Sequence, residues 1–416
     1  MVKRGLRPPH SRDPPTGERE PGDRRPPPWT GVRARAIWLG LSVAASVLLR
    51  FSLFDFRSGD FIAFLSRWYD SFLRYGRWHG LGALAAHLRS YCYPQLYLYL
   101  ISLSTLLPLS SLYAIKLLSI AADYAAAWYA WRLGRQAGFS KGRACALMAA
   151  VLFLPTVVLN SALWGQCDMM YTCGLLASLY YVLGGRMTAA LVAFGLSFSM
   201  KPQGILWCPF LAGLLATGRL PWRKLWIPPA VYVGCAVPAT LAGRPVSNAL
   251  WGWGQAAVKP TALVLGAPNW YQFISPRVAR LPYWTGVALT LLATAALVWL
   301  LRRRAAEGAD DARWLVTAAL LSVSFPPFLL PGVHERYFFA ADVLSVVYAF
   351  YNPRRWYVPL LIQFGSAFSY LPYLFHWTPV SEMVLAAAMA LAIELVAIDA
   401  ARPALQRAAA KKEDGA

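Results

Sequence analysis

Apolar residues in this chain come in runs separated by short polar loops. Most runs are roughly 17–21 residues long, the length that a helix needs to cross about 30 Å of hydrocarbon. Candidate spans fall at 36–54, 93–111, 113–133, 143–159, 168–184, 187–200, 203–217, 225–242, 283–301, 314–331, 336–351, 356–373 and 380–400. If every one crossed, the loop with Arg132, Arg135, Lys141 and Arg143 would lie outside, as would Arg302, Arg303 and Arg304. That violates the positive-inside rule. Treating 93–111 as a helix that enters and leaves on the outer side brings 132–143, 218–224, 302–313, 353–355 and the tail after Arg402 inside together. Pro94 and Pro108 at its two ends fit an interfacial or re-entrant element. The expected architecture is therefore an all-α polytopic membrane protein with about twelve spans and both termini cytoplasmic.

Residues 1–35, rich in Pro and Arg and without an apolar run, are expected to form a disordered cytoplasmic tail. A membrane module follows over 36–242, with an outer loop 55–111 carrying interfacial helices. An outer loop 243–282, C-terminal helices over 283–400 and a second cytoplasmic tail at 401–416 complete the chain. Composition agrees with this class: 58% of the 416 residues are hydrophobic, 14% are charged, and mean hydropathy is +0.43. The formal charge of +21 sits in loops and tails, where it sets topology, so nucleic acid is not an expected partner. Cys145, Cys173, Cys208 and Cys235 lie within apolar runs, and Cys92 and Cys167 are read as loop-exposed free thiols.

With this threading, the unusual polar residues collect on the outer side. Phe61, Phe64, Leu65, Trp68 and Phe72 recur at three- and four-residue spacing, predicting an amphipathic helix capped by Ser58. Asp60 falls in its first turn. It either complements the helix dipole or serves as a proton-accepting carboxylate at the water–lipid boundary, with Asp55 its competitor for that role. Asn160, Trp164, Gln166 and Asp168 occupy a short turn between spans, where an acid is costly unless it lines a wet cavity or stays among headgroups. Lys201 before Pro202, with Gln203 following, implies a broken helix. His334, Glu335 and Arg336 form an ionisable cluster between spans, open to an ion-pair or a functional reading. Lys116 and Asp123, like Glu335 and Asp342, are seven apart on one helical face, and buried pairing is expected for the two aspartates. Loop 243–282 adds Arg244, Trp251, Trp253, Gln255, Lys259, Asn269 and Tyr271, which are either sugar contacts or ordinary interface residues.

The inner loops are too short for a nucleotide-binding domain, and there is no phosphate-binding loop or Rossmann fingerprint. A reaction on the outer side needs a donor activated beforehand and delivered through the membrane, and a polyprenyl-phosphate sugar fits. Lys201, His334 and Arg336, with Lys116 or Arg244, are the cations available to a leaving phosphate.

The order Phe56-Arg-Ser-Gly-Asp60-Phe, Asn160-Ser-Ala-Leu-Trp-Gly-Gln-Cys-Asp168, Phe198-Ser-Met-Lys201 and His334-Glu-Arg-Tyr-Phe-Phe339 resembles prokaryotic integral membrane proteins related to the second GPI mannosyltransferase. The resemblance covers about 36–375, and the wider relatives are the GT-C superfamily of polyprenyl-phosphate-sugar-dependent glycosyltransferases. His334-Glu335-Arg336 looks like the His-Glu-Lys signature of the dolichyl-phosphate-glucose-dependent members, and Gly165-Gln166-Cys167-Asp168 like their Phe-Gln-Tyr-Asn turn. The resemblance implies an inverting transferase with its catalytic acid in the first outer loop at Asp60, donor-phosphate contacts near His334 and Arg336, and an extracytoplasmic acceptor. The sequence departs from the superfamily in lacking two adjacent acids there, since Gly59 and Phe61 flank Asp60. Asp55 therefore stays open as the catalytic group, no metal ligand is assigned, and use of a divalent metal stays open. Arg67 also stands where the family has Pro. The competing expectations are a flippase for lipid-linked sugars and a non-catalytic assembly subunit in which Asp60 and Arg336 are replaceable.

Overall fold

The computed structural model describes residues 28–87, 93–254, 263–274, 283–306 and 312–413, and among these nearly every element is helical. Among the described residues the sole strand pairing is parallel, β1 (Val264–Leu265) with β2 (Val333–His334), in register Val264 to Val333. Among the described residues, four helical stretches are long and apolar enough to cross a membrane: Tyr283–Arg303, Ala312–Leu329, Pro353–Phe375 and Glu382–Ala401. A fifth is the pair α6 (Lys141–Leu152) and the segment Pro155–Trp164, bent by 52° at the break. Pro155 accounts for the bend, because its ring and missing N–H interrupt the helical ladder. Leu289, Leu291, Leu292 and Trp299 on the first of these helices are exposed, giving it an apolar outer face.

The remaining helices follow the apolar runs closely. They include α1 (Pro28–Phe51), α2 (Ser66–Tyr75), α3 (Gly80–His87), α4 (Gln95–Ser104) and α5 (Ser111–Gln136). After α6 come α7 (Pro155–Val158), α8 (Asp168–Leu183) and α9 (Met187–Met200). Ser110 and Ser140 fix the starts of α5 and α6 by accepting from Tyr113 N and Arg143 N. The ten residues of α4 span about 15 Å, too short to cross, and Pro94 is its N-cap.

Two boundaries differ from expectation. Helix α1 is already formed at Pro28, inside the expected tail. The final helix, Glu382–Glu413, runs through the expected second tail, whose Ala-rich sequence favours helix. Cys92, Gln255 and Lys259 lie outside the described residues. Cys167 is buried rather than loop-exposed, because the turn that carries it folds inward.

Packing explains how the outer elements are held. Ser58 caps the first outer helix as expected, its Oγ accepting from Phe61 N and donating to Trp164 O. Phe61, Leu65, Trp68 and Phe72 are buried against Tyr97 and Leu98 of α4 and Leu112 and Ile115 of α5. Phe64, counted in the same stripe, is 37% exposed. A larger core joins α5, α8 and α9 to the C-terminal helices.

Candidate active site

Three chain breaks bring the polar residues together. The first outer helix opens with a π-helical turn, Phe61–Leu65, directly after Asp60. Helix α7 widens into a second π-helical turn, Leu159–Trp164, closed by Gly165 in the left-handed conformation (φ 77°). Such turns displace side chains from the regular helical ladder and recur at functional sites. The third break is Lys201, extended (φ −153°, ψ 136°) between α9 and the 3₁₀ turn Pro202–Trp207. Pro202 disfavours a helical Lys201, so the helix stops where the sequence predicts a break.

Asp60 stands at the centre of the cluster. Its Oδ2 accepts from Trp164 Nε1 at 3.0 Å and Gln166 Nε2 at 2.7 Å, and lies 3.3 Å from Arg336 Nη2. Its Oδ1 accepts from the Tyr373 hydroxyl at 2.7 Å. Gly59 permits this last contact, since a Cβ there would lie 3.2 Å from the Tyr373 oxygen. Tyr373 also stacks on Trp164, with ring centroids 4.8 Å apart. The Asp60 side chain keeps 14% of its surface exposed, so the carboxylate is oriented by protein yet reaches the edge of the site.

Behind it lies a second, fully buried carboxylate. Asp168 Oδ1 accepts from Lys201 Nζ at 2.5 Å, and Oδ2 from Asn160 Nδ2 at 2.9 Å. Arg336 spans the two acids: its Nε is 3.3 Å from Glu335 Oε1, and its guanidinium sits 4.6 Å above the Trp164 ring. Its Nη1 makes no hydrogen bond, with Asp168 Oδ2 3.8 Å away. His334 lies at the rim, its Nδ1 3.9 Å from Glu335 Oε2. Crowding by surrounding protein holds the His334 imidazole below its ordinary pKa, while the Glu335 charge opposes that shift. The β1–β2 pairing anchors this segment, and Gly266 packs where a Cβ would meet Glu335 Oε2 at 3.3 Å.

Thus Asp60, Asn160, Trp164, Gln166, Asp168, Lys201, His334, Glu335 and Arg336 converge. Gln203 is adjacent in the 3₁₀ turn, with its Oε1 buried and without a hydrogen-bond partner. The other expected residues are engaged elsewhere. Asp55 accepts from the Tyr113 hydroxyl at 2.5 Å, on the exposed side of α5. Lys116 donates to the carbonyls of Leu53, Phe54 and Phe56 at 2.9, 2.7 and 2.8 Å, tying down the chain that leaves α1. Asn269 joins Leu330 O to Tyr271 N, so it and the buried Tyr271 hold their loop together. Arg244 pairs with Gln95 and Asn248.

Asp123 is paired, as expected, but with Arg50 Nε at 2.9 Å rather than Lys116, because the following loop claims the lysine. Asp342 accepts from the Ser366 hydroxyl rather than from a cation. Tyr373 and Arg50 were not anticipated as partners. Arg50, an arginine inside an apolar run, is a signal that calls for a buried acid. Among the described residues no three His, Cys, Asp or Glu side chains gather closely enough to hold a metal ion. No protein-family model matches the chain.

Proposed function

We propose that this protein is a GT-C-like, inverting glycosyltransferase with about twelve spans in a prokaryotic plasma membrane. It moves a hexose, best read as mannose, from a polyprenyl phosphate to an extracytoplasmic acceptor hydroxyl. The acceptor is a glycan, lipid or protein, and membrane lipid surrounds the donor tail.

One observation carries the reading. Lys201, buried on Asp168, and the half-buried Arg336 flank a pair of carboxylates, Arg336 lies 3.3 Å from the oriented Asp60 at the site's edge, and Arg336 Nη1 has a proton to give. In the reaction, the acceptor oxygen attacks the anomeric carbon as the bond from that carbon to the phosphate oxygen breaks. The acceptor proton passes to Asp60, which acts as general base. The bonding electrons leave with the polyprenyl phosphate, whose charge is stabilised by Arg336, Lys201 and, at the rim, His334. Trp164, Gln166 and Tyr373 position Asp60 through their hydrogen bonds to its carboxylate. A single displacement of this kind inverts the anomeric centre and needs one base.

Purified protein offered synthetic polyprenyl-phosphate mannose and simple glycoside acceptors tests the assignment. Formation of a glycoside of inverted anomeric configuration supports it. Movement of the donor across vesicles with no product supports the flippase instead.

A further inference from the structure

Helices α8 and α9 run antiparallel, with Asp168 and Lys201 at one end and the turn 184–186 at the other. A cleft of about 780 Å³ follows this pair, and no residue of the Asp60 cluster lines it. Its walls are stripes at four-residue spacing: Cys173, Ala177 and Tyr181 on α8, and Thr188, Val192 and Leu196 on α9. From position 173 to 185 the groove is about 18 Å long, close to the ~15 Å that one leaflet of hydrocarbon occupies.

The polar end is cationic. Arg186 and Lys224 line it, and no Asp or Glu is among the lining residues. The Arg186 guanidinium lies 5.1 Å over the Tyr181 ring, and Lys224 Nζ donates to Thr188 Oγ1 at 3.0 Å. Each contact holds its cation at the mouth, with Arg186 exposed and Lys224 half-buried. An apolar groove of leaflet depth ending in two cations complements a lipid with a net negative headgroup. A zwitterionic lipid would place its own ammonium beside Arg186 and Lys224.

We propose that this cleft binds one acyl chain of an anionic glycerophospholipid, with the headgroup phosphate at Arg186 and Lys224. The proposal rests on the membrane-spanning reading of these helices and is independent of glycosyl transfer.

Native mass spectrometry of the full chain in detergent, with equimolar phosphatidylglycerol and phosphatidylcholine, tests it without any turnover. The wild type should retain phosphatidylglycerol preferentially. Arg186→Gln with Lys224→Gln, at positions outside the buried core, should lower that retention roughly thirty-fold. Val192→Trp should exclude both lipids by filling the groove. Equal retention of the two lipids by the wild type, or undiminished phosphatidylglycerol in the double glutamine variant, would overturn the proposal.

Discussion

Replacing Asp168 with Asn removes a charge from the centre of the site without changing its shape. The Asp168 side chain is fully buried and that of Lys201 only 5% exposed, so solvent screens neither. Asn at 168 preserves the volume, and its amide oxygen can still accept from Asn160. Lys201 would lose its carboxylate, and Arg336 one of the three acids around it. Leaving one member of a buried pair without its counter-charge costs about 3–5 kcal/mol. The assay is reversible unfolding in mixed micelles, followed by tryptophan fluorescence, for Asp168→Asn, Lys201→Met and the double variant. The double variant should be less destabilised than the sum of the singles by about 2–3 kcal/mol, since it abolishes the pair rather than orphaning a charge. Strict additivity, or a single-variant cost below about 1 kcal/mol, would refute the view that these two residues form one desolvated unit.

Three further outcomes follow from the same contacts. Tyr373→Phe removes a hydrogen bond to Asp60 Oδ1 and should lower turnover by roughly ten-fold or more; Gly59→Ala, which crowds the hydroxyl, should act in the same direction, with both measured at saturating donor. Lys116→Met should destabilise the fold by about 2–4 kcal/mol through three lost carbonyl contacts, while the KM for donor in the surviving protein stays near wild type. His334 titrates below its unfolded value, so its contribution to stability is complete above about pH 6.5 and is lost as the pH falls through the depressed folded value; a melting-temperature profile against pH should lose that acid-side decline in His334→Gln.

Much of the architecture is legible in the chain because it depends on local signals. Apolar run length predicts where helices lie, and Pro202 marks a break that neighbouring helices do not override, whereas the span expected to be continuous over 143–159 is bent at Pro155. The amphipathic stripe from Phe61 to Phe72 likewise announces its buried face. The site is legible only in part. Asp55 and Asp60 lie five residues apart in similar sequence surroundings, and what separates them is contacts with Trp164, Gln166, Arg336 and Tyr373, the last 313 positions away. Periodicity carries no information about such a pairing. The same limit explains Asp123: its seven-residue spacing from Lys116 suggests a partner on its own helix, whereas Arg50 arrives from α1, 73 positions earlier. Lys116 and Asn269 show the converse, polar residues in promising segments whose hydrogen bonds are absorbed by backbone that needs satisfying.

The most direct test of the central claim is the rate of mannosyl transfer from synthetic polyprenyl-phosphate mannose by purified wild type, Asp60→Asn and Asp55→Asn. General-base catalysis by Asp60 predicts a fall of roughly 10²-fold or more in Asp60→Asn alone, with Asp55→Asn near wild type. An Asp60→Asn variant that transfers mannose at the wild-type rate would contradict it.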